Sequence, residues 1–340
     1  MPLAQRNPLH NPLHILKTAR ENGRPATVAG PMVRYSKLPF RELVRHYGAD
    51  ILYTPMILAR EFVRNGIARA SDFTTNDSDR PLVVQVGCKN VEDLVRFVDM
   101  VHPYVDGIGI NCGCPIREKV CEGIGAALMA QPELVAAMVS AVKRKYGARV
   151  CLETKIRVHA DIAETVRFAL MVEAAGVDYI TVHGRTKNTR SSVPADLDAI
   201  RQVKVAVSVP VVANGDCFSA ADMTHIAEYT GADGVMAVRG ILANPALFAG
   251  YEVTPWAAVE RFWDLAAAYG LPFRITQHHL LQMLDGSVPR RVLREMNELT
   301  YFVDLVDWFD ERFVLRRKGD AGFATEVAPE WRAGHASVPG

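Results

Sequence analysis

The sequence predicts an α/β protein: a (β/α)8 TIM barrel followed by an all-helical C-terminal domain. Three observations lead there. Short β-rich runs alternate with helical patterns from about residue 27 to residue 248, and there are eight such runs. Polar or charged residues close most of them, as barrel strands that end at an active site require. A doubly wound sheet is the competing arrangement, and it gives no reason for so many polar strand ends.

In chain order the runs are TVAG (27–30), ILYTPM (51–56), LVVQVG (82–87), DGIGIN (106–111), VCLETKIR (150–157), DYITVHG (178–184), VPVVANG (209–215) and DGVMAVRG (233–240). Between them lie VEDLVRFVDMV (91–101), PELVAAMVSAVKRKY (132–146) and ADIAETVRFALMVEAAG (160–176), whose apolar positions recur at helical spacing. Gly176 and Gly231 follow helices where a left-handed cap is wanted. After Phe248 the strand signals stop. Residues 255–269, 274–285 and 288–314 read as helices, with a turn at GLP (270–272) and a break at DGSVP (285–289). The expected layout is a tail over 1–24, the barrel over 25–250, a helical domain over 251–317 and a second tail over 318–340.

A chain of 340 residues accommodates a barrel of roughly 250 plus a small addition. Apolar content of 49% with 23% charged residues supports a large core. The six cysteines (88, 112, 114, 121, 151 and 217) follow no framework spacing, so reduced thiols in an intracellular compartment are expected. No apolar run approaches the roughly 20 residues of a membrane span, and no membrane partner is expected. The N-terminal MPLAQRNPLHNPLHILKTAR lacks acids and serine, but Pro2, Pro8 and Pro12 would interrupt a targeting helix. A tail with a small NPLH repeat is expected there. The expected location is the cytoplasm, with the nucleus as alternative and no organelle targeting.

A net charge of +1 neither argues for a nucleic-acid partner nor forbids one. Residues 251–340 hold 10 Lys and Arg against 13 Asp and Glu, yet the cations bunch at Arg290, Arg291, Arg294 and at Arg316, Arg317, Lys318. Solvated helix ends are the default meaning of such bunches, and a phosphate-binding stripe is the alternative.

The strand ends bring Met32, Gln85, Asn111, Lys155, Arg157, His183, Asn214 and Arg239 toward one mouth. Alone, His183 would be a core histidine and Lys155 a solvated one; together they form a ring of donors. The glycine turns ANGD (213–216) and VRGIL (238–242) follow the last two strands, where barrels often hold a phosphate on backbone amides. Arg239 adds a charge-assisted contact. No GxGxxG opens a helix after a strand, which disfavours a Rossmann site. A flat phosphorylated cofactor such as FMN fits this layout better than a phosphosugar, with a Schiff-base role as the other use of Lys155. In INCGCP (110–115) a zinc site would lack its second pair of ligands, and a disulfide between residues two apart would be strained. The open question is which thiol acts.

GPM (30–32), VQV (84–86), NCGCP (111–115), EGIGAALM (122–129), TKIR (154–157), VHGRT (182–186) and ANGD (213–216), in this order, resemble the tRNA-dihydrouridine synthase family. The resemblance is dense over about 25–250 and looser beyond. YTPM, LETKIR and VRG-ILANPALF look most like the branch acting at positions 20a and 20b of the tRNA D-loop. It implies an FMN barrel reduced by NADPH or NADH, a helical domain over 251–317 that cups tRNA, and reduction of uridine to 5,6-dihydrouridine. Hydride would pass from reduced FMN to C6 and a proton from Cys114 to C5. A free thiol with a pKa near 8.5 is mostly protonated at neutral pH and can serve as that acid. Cys112 takes a position variable in the family and is expected as a packed hydrophobe. Pro115 restricts the Cys114 backbone and aims its thiol.

The cofactor-binding residues expected by resemblance are Pro31, Met32, Gln85, Lys155, His183, Asn214, Gly215, Asp216, Arg239 and Gly240. The substrate-binding residues are Asn111, Arg157, Arg185, Lys187, Arg190, Arg290 and Arg294, with no metal and a monomeric chain. Two departures stand out: Val238 replaces the first glycine of the family's GRG, and Leu197 replaces the tryptophan of its ADW segment. The alternatives are a flavin barrel acting on a free pyrimidine, as dihydroorotate dehydrogenases do, and an inactive tRNA-binding protein. The target base must leave its stack to reach a flavin, and binding carried by phosphates should weaken with salt.

Overall fold

The computed structural model describes residues 7–325 and 328–332. The chain divides into two compact units: one holds the chain up to Ser36, Asp50–Cys217 and Ala221–Val238, the other Lys37–Ala49, Phe218–Ala220 and the chain from Arg239 onward.

The first unit is a closed barrel of eight parallel strands: β1 (Ala26–Ala29), β2 (Ile51–Tyr53), β3 (Leu82–Gly87), β4 (Gly107–Cys112), β5 (Cys151–Arg157), β6 (Tyr179–His183), β7 (Val211–Asn214) and β8 (Gly234–Ala237). A two-residue piece, Ile57–Leu58, extends β2 along β3. Closure comes from β1, which pairs with both β2 and β8. The strands are buried on both faces, which is why their sequences read as nearly continuous apolar runs.

One device repeats around the N-terminal rim. An aspartate just before each even strand accepts the backbone amide at the start of the preceding odd strand. Asp50 takes Thr27 at 2.9 Å, Asp106 takes Leu82 at 2.9 Å, Asp178 takes Leu152 at 2.7 Å and Asp233 takes Val211 at 2.8 Å. Each acid is also paired with a cation: Arg24, Arg80, Lys143 and Lys204 respectively. Charge-assisted bonds of this kind are stronger than neutral ones and satisfy amides that the ladder leaves open.

The expected N-terminal tail is corrected for the described residues from 7 onward; residues 1–6 lie outside them. Pro8–His10 forms a 3-10 turn and Pro12–Glu21 an α-helix. Leu16 and Ala19 of that helix are fully buried in a cluster with Val28, Ile51, Tyr53, Tyr179 and Met236. The NPLH repeat is the reason. Asn7 and Asn11 accept the amides of Leu9 and Leu13 as N-caps, and each following proline takes the first helical position, where its missing N–H costs nothing. Prolines that look like breakers are helix starts here.

In the second unit the helices Trp256–Ala268 and Phe273–Leu284 form as expected. The single helix expected over 288–314 is two, Arg290–Glu298 and Phe302–Arg312. The break is held from outside: Gln277 Nε2 donates to the carbonyls of Met296 and Leu299 at 2.7 and 3.0 Å. Leu38–His46, the helix following β1, also packs in this unit, with Phe40 stacked on His279 at 4.6 Å. The expected tail from 318 folds back in its described part, where Trp331 rests on Phe313 at 4.4 Å and Glu330 pairs with Arg316. Residues 333–340 lie outside the described ones.

The ends of β1 and β8 meet closely. A Cβ on Gly30 would lie 2.7 Å from Val238 Cγ2 and 2.8 Å from Met236 Sδ. Val238, which stands where the resembled GRG motif has glycine, thus fills space that is left open by the glycine at 30. Gly30→Ala should therefore cost about 1–3 kcal/mol by overpacking, read as a lower melting temperature. Adding Val238→Gly should recover the part owed to Val238 and leave the part owed to Met236. A Gly30→Ala protein as stable as wild type would separate the two positions.

Candidate active site at the C-terminal mouth of the barrel

Strand alternation selects the side chains that enter the barrel. On β5, Glu153, Lys155 and Arg157 share the inner face. The register sets Asn111 beside Lys155, Lys155 beside Thr181, and His183 between Arg157 and Asn214. Hydrogen bonds then join the expected donors. Lys155 Nζ donates to Asn214 Oδ1 at 2.7 Å, and Asn214 Nδ2 donates to the Met236 carbonyl at 3.1 Å. Asn111 Nδ2 donates to Gln85 Oε1 at 2.7 Å. This leaves Gln85 Nε2 buried with no protein partner, a donor available to a ligand. Burial pulls the Lys155 ammonium toward neutrality, while the charge of Glu153 opposes that shift.

The two cysteines of INCGCP have separate environments. Cys112 is the last residue of β4, faces the helices and has no exposure. Burial pushes its thiol far above the ordinary range, so it stays an inert packed group. Cys114 lies past the strand end and is partly exposed. Asn111 Oδ1 accepts the amides of Gly113 and Cys114 at 3.0 and 2.8 Å, and the Cys114 carbonyl accepts Ala126 N at 2.9 Å. Gly125, at φ +65°, passes so close that a Cβ would lie 2.6 Å from the Cys114 carbonyl oxygen. The second glycine of EGIGAALM thus seats the thiol. Arg157 Nε donates to Gly113 O at 2.6 Å and Nη1 to Thr186 O at 2.9 Å, tying the cysteine loop to the loop after β6.

Arg185, expected as a substrate contact, has partners within its own loop and at the end of β7. It is buried, pairs with Asp216 at 2.5 Å and donates through Nε to Val193 O at 2.7 Å. Arg185 and Asp216 are committed to each other and shape the 186–195 loop. Lys187 and Arg190 on that loop are exposed and make no ion pair among the described residues.

At the end of β7, Gly215 and Asp216 both have positive φ, and a Cβ on Gly215 would lie 2.5 Å from Ala195 Cβ. After β1, Ser36 staples the turn of Pro31 and Met32, accepting Met32 N at 2.9 Å and donating to Gly30 O at 3.2 Å. Arg239 and Gly240 belong by their contacts to the second unit. They lie in the helix Arg239–Ala243 that follows β8, and the Arg239 guanidinium lies 5.0 Å over the Phe218 ring.

Elsewhere in the second unit, Arg290, Arg291 and Arg294 are exposed and unpaired among the described residues. Of the other basic bunch, Arg316 and Arg317 are spent on Glu330 and Asp310. No group of three or more His, Cys, Asp or Glu able to hold a metal forms among the described residues. Glu153, Ser36 and Gly125 are site residues that motif reading passes over. The alternation of Glu, Lys and Arg in LETKIR was the available signal for the first.

The dihydrouridine synthase (Dus) family model matches residues 27–333. Over 329 residues the chain is 54% identical to the tRNA-dihydrouridine(20a/20b) synthase [NAD(P)+] of Saccharomyces cerevisiae, covering 95% of this chain and 90% of that one. It is 48% identical to the protein of the same description from Schizosaccharomyces pombe, covering 95% and 98%. It is 43% identical to a human protein described as tRNA-dihydrouridine(20a/20b) synthase [NAD(P)+]-like, covering 86% and 92%. Matched by the family model over most of its length and by relatives about half identical to it, the chain belongs to the dihydrouridine synthase family.

Proposed function

We propose that this protein reduces uridine to 5,6-dihydrouridine in the D-loop of tRNA, at position 20a or 20b, with FMN as cofactor and NADPH or NADH as reductant. One observation carries the reading. The Asn111 carboxamide binds Gln85 on one side and the Cys114 amide on the other, so a cofactor-facing donor and a proton donor are set by one side chain. The site positions named in the relatives extend the reading to 20a and 20b. The free-pyrimidine alternative loses its support with the family assignment.

The residues fit FMN. The unspent Gln85 Nε2 and the Lys155 ammonium suit the polar edge of an isoalloxazine, and Pro31 and Met32 form a turn stapled by Ser36 beside the mouth. Asn214 and Gly215, and in their own unit Arg239 and Gly240, are the expected phosphate-side contacts, with His183 among the ring of donors. When bound, FMN would supply the hydride for C6 of uracil. The chain's own part is to hold the proton for C5 on Cys114 Sγ and to fix that thiol through Asn111, Gly125 and Arg157. Flipping a uridine out of its stack costs a few kcal/mol, least in a loop, so tRNA shape and phosphates must meet that cost. Lys187 and Arg190 on the barrel loop, and Arg290 and Arg294 on the helical unit, are the cations proposed for it.

Purified protein should be yellow and release FMN on denaturation; a colourless preparation that takes up no added FMN would overturn the flavin reading. Cys114→Ala should lower dihydrouridine formation by roughly 100-fold or more, the usual worth of a general acid. Flavin reduction by NADPH should survive, since proton donation comes later. Cys112→Ala should keep most activity and cost about 1 kcal/mol of stability. Mass spectrometry of tRNA from a deletion strain carrying each variant reads both the reaction and the position. Equal losses from the two cysteines would reverse the assignment of the acid.

Arg290 and Arg294, four apart on one helix face, should contact neighbouring phosphates. Changing both to Ala should weaken tRNA binding and flatten its salt dependence by roughly two phosphate contacts, with FMN content unchanged. Unchanged affinity at every salt concentration would move the RNA surface to Lys187 and Arg190.

A further inference from the structure

The inner face of β5 carries an acid that no role above uses. Glu153 is fully buried at a level of the barrel that branched apolar side chains usually fill. Both carboxylate oxygens are sealed from solvent and make no hydrogen bond of full geometry, though the Thr181 and Tyr53 hydroxyls are close enough to favour its charge. Tyr53 and Tyr179, at the same level, bond to each other at 2.7 Å. Room for the acid comes from Gly109, its partner across the ladder, where a Cβ would collide with Oε2. A carboxylate so placed is costly unless an opposite charge offsets it.

That charge stands two residues along, on the same face: Lys155, whose amine reaches Asn214 at the mouth. Burial pushes the Glu153 carboxyl up, against the Thr181 hydroxyl first and the Lys155 charge second; burial pushes the Lys155 ammonium down, against the charge of Glu153. The other titratable groups facing the pair are Arg157 and Cys114 toward the mouth and Tyr53 and Tyr179 at the level of Glu153; Cys112 and Cys151 also feel its charge.

We propose that Glu153 is a positioning residue acting through Lys155: its carboxylate, two residues deeper on the same inner face of β5, keeps Lys155 protonated and aimed at the polar edge of the cofactor. The inference rests on the flavin reading above. It involves one proton, held on Lys155 Nζ or lost to solvent, and no other bond changes.

The test is the midpoint potential of the bound flavin as a function of pH in the holoprotein. A charged Lys155 raises the potential by stabilising negative charge on the reduced ring, so its titration bends the profile. A lysine linked to reduction bends the profile at its pKa in the oxidised form and again, higher, in the reduced form. Glu153→Gln keeps shape and removes the charge. It should lower the upper of these bends by about one pH unit or more. Lys155→Arg, always charged, should show no lysine bend. Should Glu153→Gln fail to fold, Glu153→Asp draws the charge away from the amine and should move the upper bend down by less. A purely structural acid would change the melting temperature and leave the upper bend in place, and that result overturns the proposal. A wild-type protein without flavin overturns the flavin reading instead. The 15N shift of Lys155 Nζ against pH then reports the pair without cofactor: a titration unmoved by Glu153→Gln sinks the pairing.

Discussion

Everything at the mouth of this barrel depends on the register of β5 against its two neighbours. With Asn111 opposite Lys155 and His183 opposite Arg157, four polar side chains fall on one ring. A slip of one residue would turn Lys155 into the helix layer and bring Thr154 into the lumen. Long parallel ladders buried on both faces make that slip expensive. The chemistry of the site is therefore a consequence of how the apolar majority packs, and the reactive residues need no special device to find each other.

Much of this was legible because barrel strands advertise themselves. Eight apolar runs with polar ends place a mouth, and the spacing of Gln85, Lys155, His183 and Asn214 places a ring. What stayed hidden has physical reasons. The NPLH repeat reads as a tail because proline's cost inside a helix is familiar, while its ease at the first helical position is decided by whether the asparagine before it caps. The break near Leu299 depends on Gln277, over twenty residues away, so no local window contains it. The HGRT motif does not show that Arg185 pairs with Asp216, because the two meet only when the loop after β6 folds against the end of β7. Glu153 was visible as a letter in LETKIR, but its full burial is a fact of the closed barrel.

The two cysteines show how little sequence distance limits chemical difference. Cys112 and Cys114 are separated by one residue, yet one ends a strand and faces packed helices while the other lies beyond the ladder with its backbone clamped. The clamp comes from both directions in sequence: Asn111 before it, and Gly125 and Ala126 after a short helix. A thiol needs freedom from burial to take part in chemistry and loss of freedom to be aimed. The INCGCP–EGIGAALM pair supplies both, with a side-chain amide for the aim and a glycine for the fit.

The aspartate clamps at the opposite rim bear on how the chain finds its fold. They span 23, 24, 26 and 22 residues, each joining an odd strand to the even strand that follows. Loop-closure entropy grows only with the logarithm of length, so the four closures cost nearly the same and none must wait for another. Each clamp rewards a strand–crossover–strand module as soon as it collapses, before the ring is complete. Contacts this local favour fast assembly, while the closing pair of β1 with β8 and the packing of the N-terminal helix against Met236 require the whole barrel sequence to have been brought together. A chain re-cut between an even strand and the next odd one would carry all four modules whole. A cut inside a module would divide an acid from its amide and leave that quarter of the ring to fold last.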